Sequence, residues 1–225
     1  MSFFVSVWDI LITYREGLFN GVLVTLKLCI AVWAIGLTGG ACLGAAAAHW
    51  KGGLAVCVQT IAFLLSSIPI LVFLLWLHYP IEYALGIALD PFYATILTLG
   101  IVNLFSVAEV IRKALVDFPE HFRLAGYLSG MSHLDTLKKI ELPLIVRQVL
   151  PSLLILQVTM LHATIFSSLI SVNDIFKTAQ SINSQVYKPI EVYTALGLFF
   201  LAISLPLTGL AAWSKGRFTR NYSEY

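Results

Sequence analysis

Apolar positions along this chain do not alternate with polar ones; they run together. Five stretches, about 19–48, 54–78, 91–111, 144–170 and 190–213, are almost unbroken. About 20 mostly apolar residues in a helix cross a hydrocarbon layer. The pattern therefore predicts an all-α membrane protein, a single domain over residues 1–225 with five transmembrane helices. Ahead of the first stretch, an amphipathic segment sets Phe3, Phe4, Val7, Trp8 and Leu11 toward lipid, and is expected to lie in the interface. Asp9 interrupts it, and it has neither a basic start nor a small-residue cleavage site, so it does not read as a cleavable signal.

One polar segment, residues 113–143, separates the third and fourth stretches. It is too long for a turn and too patterned for disorder. Asp117 is expected to cap a short helix, with Pro119 in its first turn and Glu120 completing a capping box. Phe122, Ala125 and Leu128 then share one face. Gly130 is placed to end that helix in a left-handed conformation. Ser132 restarts it, with Asp135 as the box partner, and Leu134, Leu137 and Ile140 recur at helical spacing. Pro143 is expected to give a sharp break into the fourth span. Two capped pieces, each with an apolar face, leave surface that wants a partner.

Composition supports a bilayer. Of 225 residues, 59% are hydrophobic and 12% charged, where a soluble domain carries roughly a quarter charged. The net charge of +2 carries no clustered basic face for nucleic acid. With the N-terminus outside, the cytoplasmic side holds Lys51, Arg112, Lys113, Arg123, Lys138, Lys139, Arg147, Lys215, Arg217 and Arg220. The outer side then holds Arg15, Lys177 and Lys188. That bias predicts N-terminus outside and C-terminus cytoplasmic, with Lys27 snorkelling from the first span. Cys29, Cys42 and Cys57 read as small apolar filler rather than a disulfide or metal framework. Gly40 and Gly44 form a G-x-x-x-G that lets the first span approach protein closely. Pro69, Pro151 and Pro206 can each kink a span.

Candidate pathway residues are the polar ones well inside spans: Ser66 and Ser67 in the second, Asn103 and Ser106 in the third, Gln157, His162 and Thr164 in the fourth. Glu109 and Arg112, one helical step apart, read as a structural ion pair. No phosphate-binding glycine loop, acidic run for magnesium or nucleophile–base spacing is present, so any ATP chemistry belongs to a partner. A secondary transporter is disfavoured by the lack of a mid-depth carboxylate and of equal halves. A purely structural subunit would leave the capped loop without a purpose.

Several stretches resemble one family. Gly130, then nine residues, then Ile140, one residue and Leu142-Pro143 resembles the loop signature of ABC importer permeases. "VAEVIRKALVDFP" (107–119), "SVNDIFKTAQSI" (171–182), "EVYTALGLFFLAISLPLTGLAAW" (191–213) and "YREGLFNGVLVTLKL" (14–28) resemble its polar amino-acid branch, the histidine/glutamine/arginine importer type. The resemblance implies five spans with the N-terminus outside, and a cytoplasmic coupling helix in the 113–143 loop. It also implies partners: a cytoplasmic ATPase dimer holding ATP and magnesium, a second permease, and an extracytoplasmic substrate-binding protein, all at a bacterial inner membrane. No cofactor is expected in this chain. The signature's Glu-Ala-Ala is Leu124-Ala125-Gly126 here. Its Arg-Gly-Thr-Pro is Ser66-Ser67-Ile68-Pro69, followed by Phe73 for a glutamine, and its Lys-Asp-Thr-Ser is His162-Ala163-Thr164-Ile165. Docking on the ATPase is expected through Phe122, Ala125, Leu128 and Met131. With the charged pathway positions gone, a paralogue is favoured over a second copy as the other permease.

Overall fold

A computed structural model describes residues 2–50 and 52–218. The side chains of Phe3 and Phe4, together with Lys51 and Arg220, lie outside what is described. Among the described residues the chain is helical throughout, with no strand. The elements are α1 (Ser2–Thr13), α2 (Arg15–His49), α3 (Gly53–Ser67), α4 (Ile70–Leu85), α5 (Pro91–Val116), α6 (Glu120–Leu128), α7 (His133–Ile170), α8 (Ile175–Val186) and α9 (Pro189–Phe218). Four of them, α2, α5, α7 and α9, are each long and apolar enough to cross a membrane; α3 with α4 makes a fifth candidate.

That fifth candidate differs from the straight span expected over 54–78. Its two halves meet at 100°. The cause is local: Pro69 disfavours the helical region for its predecessor, and Ile68 sits extended at φ −98, ψ 128. Pro151 and Pro206 do not act this way, because α7 and α9 continue through them. Pro143 also differs from expectation. Instead of a break, α7 runs unbroken from His133 into the membrane. A wide, five-residue turn over Leu137–Glu141 immediately precedes Pro143, which then falls in the first turn of regular helix. A proline's fixed φ suits that first turn.

The remaining correction in the loop concerns its first cap. Asp117 closes α5 instead of opening α6, its N–H donating to the Lys113 carbonyl at 2.8 Å. α6 starts at Glu120 behind an extended Pro119 with no side-chain cap. Phe118, preceding the proline, is disfavoured from the helical region, and it is buried as an anchor against Ala114, Ile145 and Val149.

Packing is set by two stripes. Gly40 and Gly44 lie directly on α5; a methyl added at Gly40 would sit 2.7 Å from Leu104 O and Val107 Cβ, so the G-x-x-x-G face does bring α2 onto another helix. At the other end of the bundle, Ile10, Cys29, Leu161, Ile175, Ala179, Ile182, Val192, Leu196 and Phe200 bring α1, α2, α7, α8 and α9 together. α1 buries Val7 and Ile10, the latter in this cluster, and leaves Val5, Trp8 and Ile12 exposed. Val7 is therefore not the lipid-facing residue expected of it; Trp8 is exposed as expected. Lys27 is exposed on α2.

Beyond the end of α7, Asp174 fixes the start of α8. Its Oδ1 accepts from the Lys177 N–H at 2.7 Å and its Oδ2 from the Ser167 hydroxyl at 3.0 Å. The residue is 1% exposed. Burial dominates those hydrogen bonds and pushes its carboxyl up from 3.8 to about 6. The folded protein thus holds this proton more tightly than the unfolded chain. The stabilisation is full below the unfolded value and is lost as pH rises through the folded one. Between about pH 4 and 7 the wild-type melting temperature in detergent should fall relative to Asp174→Asn, by the equivalent of at most about 3 kcal/mol. Parallel curves for the two proteins would show that Asp174 carries no such linkage.

Candidate functional site

The mid-depth polar residues do not converge on one cavity. Asn103 on α5 and Gln157 on α7 do meet. Asn103 Nδ2 donates to Gln157 Oε1 at 2.9 Å and to the Val32 carbonyl of α2 at 3.0 Å, and Gln157 Nε2 returns a bond to Asn103 Oδ1 at 3.3 Å. Trp33 Nε1 donates to the Gln157 carbonyl at 3.1 Å. Three helices are thus pinned at one level. Asn103 reaches α2 only because residue 36 is glycine: a methyl there would overlap the Asn103 amide. A wide turn of α2 over Ile35–Gly39 adjoins this contact. Asn103 and Gln157 are buried, and most of their hydrogen-bonding capacity is met by protein.

The other candidates are placed differently. Ser66 and Ser67 are exposed where α3 ends, both donating to the Phe63 carbonyl at 2.8 Å. His162 is exposed on α7, its Nε2 2.9 Å from Ser204 Oγ of α9 and its ring edge-on to Phe200. Thr164 is buried and bonded back to the Leu161 carbonyl at 2.7 Å. Ser106 is half-buried on α5. Glu109 and Arg112 do form the expected ion pair, with Arg112 Nε 2.7 Å and Nη2 2.8 Å from the two carboxylate oxygens. With its amide oxygen turned inward, Gln59 of α3 accepts from both Arg112 Nη atoms at 2.9 Å, which ties α3 to α5.

The 117–132 segment is ordered by local hydrogen bonds. Gly130, at φ +77, ends α6 in a left-handed residue with nothing within 4 Å of its missing side chain. The N–H of Met131 bonds the Gly126 carbonyl at 3.1 Å and that of Gly130 bonds the Tyr127 carbonyl at 3.0 Å, the double bond of a Schellman turn. Ser132 then caps α7: its Oγ accepts from the Asp135 N–H at 3.2 Å and donates to Asp135 Oδ2 at 2.7 Å. Phe122 packs inward with Phe118 and Ile145, so the outward face of this segment is formed by other residues. Leu128 is 89% exposed, Leu134 63% and Leu124 53%, and Ala125, Tyr127 and Leu142 are exposed beside them. Met131 and Ile140 are half-buried, Pro143 likewise, and Gly126 is buried against Thr136.

Besides Gln59–Arg112 and His162–Ser204, three more polar contacts escaped the sequence reading. Arg123 Nε lies 3.0 Å from Glu141 Oε2, across 18 positions with no local signal. His78 Nδ1 lies 2.9 Å from Glu82 Oε1, a spacing of four that was legible, and Glu82 Oε2 also accepts from the Leu89 N–H at 3.2 Å. Asp174 is the third. Among the described residues no group of three or more His, Cys, Asp or Glu could hold a metal.

Truncating the amide pair separates a structural from a ligand role. Asn103→Ala and Gln157→Ala should each lower stability in detergent, with a coupling between them of about 1 kcal/mol in a double-mutant cycle. Strictly additive losses would show that the two amides do not depend on each other.

Residues 40–220 match the family described as binding-protein-dependent transport system inner membrane component. The chain is 27% identical over 187 residues to the glutamine transport system permease protein GlnP of Escherichia coli, covering 81% of this chain and 85% of that one. It is 24% identical over 217 residues to the glutamate/aspartate import permease protein GltK of Escherichia coli, covering 93% and 97%. With the histidine/lysine/arginine/ornithine transport system permease protein HisQ of Salmonella typhimurium it shares 25% over 166 residues, covering 69% and 73%. Among solved structures, an amino acid ABC transporter described with histidines superposes at a TM-score of 0.80 with 22% identity, over 92% of this chain and 96% of the other. The MetNI methionine ABC transporter in an inward-facing form superposes at 0.65 with 18% identity, over 93% and 97%.

Proposed function

This chain belongs to the family of binding-protein-dependent transport system inner membrane components, and we propose that the solute it moves is an amino acid. It is a membrane permease subunit of an ATP-driven ABC importer and not itself the enzyme; such importers work with an ATPase and a binding protein. The amino-acid reading is supported by relatives whose names specify glutamine, glutamate/aspartate and the basic amino acids. Those cargoes differ in charge, so the class carries over and the individual amino acid does not.

The observation that carries the coupling part of the proposal is the apolar outward face of the 117–136 segment. Leu124, Leu128 and Leu134 stand exposed on a backbone fixed by a Schellman turn and a serine cap. Apolar side chains displayed on a rigid mount suit burial in a groove of another protein. In this reading α6 is the coupling helix, the ATPase is its partner, and this end of the bundle is cytoplasmic. The positive-inside bias supports the same orientation, with the N-terminus outside; the family description and the bacterial relatives support the inner membrane as the location. A solute would be met by Ser66, Ser67 and His162, which are exposed. Asn103, Gln157 and Thr164 would support the wall behind them. None of these positions is an Arg, Lys, Asp or Glu that would match an amino acid's α-carboxylate, ammonium or charged side chain. The second permease is therefore read as a paralogue that supplies that charge.

The test is purification through a C-terminal tag, followed by uptake of labelled amino acids in proteoliposomes. An ATPase and a different permease should copurify, and uptake should need ATP and a binding protein. Copurification without any ATPase overturns the reading. In the same assay Gly130→Val puts about 1–2 kcal/mol of strain on the left-handed residue. It should leave ATP hydrolysis running while uptake falls about tenfold. Unchanged uptake in that variant would show that the turn does not set the working position of α6.

A further inference from the structure

α6 is only nine residues long and is joined to α5 and α7 by short non-helical links. A helix so short moves independently of its neighbours unless something fastens it. Phe122 packs toward Ile145 and the Tyr127 hydroxyl lies 2.8 Å from His133 Nδ1; three further contacts involve Arg123 and Gly126, two to the first turns of α7 and one to the link ahead of α6. Arg123 Nε meets Glu141 Oε2 at 3.0 Å. The Arg123 guanidinium also lies 5.5 Å over the Phe118 ring. Gly126 presses its bare face on Thr136 and Ile140, where an added methyl would come within 2.8 Å and 3.2 Å of their side chains.

The ion pair differs from a surface bridge. Glu141 is 3% exposed, and its second oxygen, Oε1, is buried with no hydrogen-bond partner among the described residues. A carboxylate in that setting depends on the cation set against it, here Arg123. Losing Arg123 leaves a buried charge uncompensated, so any displacement of α6 away from α7 is opposed by more than the pair's own attraction. Glu109–Arg112, by contrast, lies within one helix and fastens nothing to α6. Glu141 stands at the end of the wide turn Leu137–Glu141, from which α7 continues without interruption to Ile170. That helix carries Gln157, pinned to α5 and α2, and His162, against α9. A push on α6 that reaches Glu141 therefore reaches the bundle along one rigid element.

We propose that Arg123 and Glu141 are a positioning pair that makes α6 and α7 one lever, so that ATPase movement at α6 turns the spans. Neither residue touches solute. The proposal rests on the importer reading above and names the fastening that it requires. Without the pair, α6 still docks through its leucine face, but its displacement is spent on the α6–α7 joint.

The test uses the full complex, with its ATPase and binding protein, in proteoliposomes supplied with a mixture of labelled amino acids. The readout is solute moved per ATP hydrolysed. Arg123→Ala should hydrolyse ATP yet move several-fold less solute per ATP, while Arg123→Lys keeps most of the ratio. Exchanging the charges, Arg123→Glu with Glu141→Arg, should regain about half of the wild-type ratio or more, where either exchange alone does not. A wild-type ratio in Arg123→Ala overturns the proposal, and so does an exchanged pair no better than the single variants. If Arg123→Ala fails to assemble, Arg123→Lys and the exchanged pair still decide. A wild-type complex that shows no ATP-driven uptake overturns the importer reading, and the pair's role with it. A coupled wild type with indifferent variants overturns the pair alone.

Discussion

Hydrocarbon offers no hydrogen-bond partner, so every polar group placed in it must be answered from within the protein. The whole architecture follows from that constraint. Backbone groups are answered by long helices. Where Pro69 forces a break, Ser66 and Ser67 both turn their hydroxyls back to the Phe63 carbonyl. Where two amides are buried, they answer each other, and the surplus N–H of Asn103 goes to a backbone carbonyl on a third helix. The same demand that makes these groups costly alone makes them good fasteners together.

Two kinds of fastening divide the molecule. Apolar contacts and small-residue faces hold the spans against one another without specifying a direction, as along Gly40 and Gly44. Directional polar contacts occur at a few levels: the amide pair in the middle, Gln59–Arg112–Glu109 further along α5, Arg123–Glu141 at the loop, and Asp174 at the opposite end. Each joins separate helices, or a helix to a connecting segment. An importer has to change shape without losing its fold, and a few directional joints among many non-directional ones suit that requirement.

The family likeness and the departures from it bear on different questions. Matching over residues 40–220 establishes the fold and the role as a permease subunit. The hydroxyls of Ser66 and Ser67 and the imidazole of His162 bear on what this subunit contributes to holding solute. A site for a charged amino acid needs opposite charge or well-placed dipoles. The exposed Ser66, Ser67 and His162 supply hydroxyls and an imidazole.

The sequence alone determined the helical class, the number and rough limits of the apolar stretches, the Gly130 turn, the Ser132 cap and the Glu109–Arg112 pair. Each of these depends on residues a few positions apart, where spacing and residue type carry the physics. It misjudged the Asp117 cap, the behaviour of Pro143 and the face of Val7. It missed Arg123–Glu141 altogether. Whether a proline breaks a helix depends on the turn before it and on whether a neighbour needs the lost N–H. Pro69 broke α3 from α4, while Pro143, Pro151 and Pro206 were absorbed. Which amphipathic residue faces lipid depends on what packs beside it. Only the tertiary structure could bring Asn103 to Gln157, or Arg123 to Glu141, because those contacts join residues 54 and 18 positions apart. Their partners are chosen by how the helices stack, not by the local sequence.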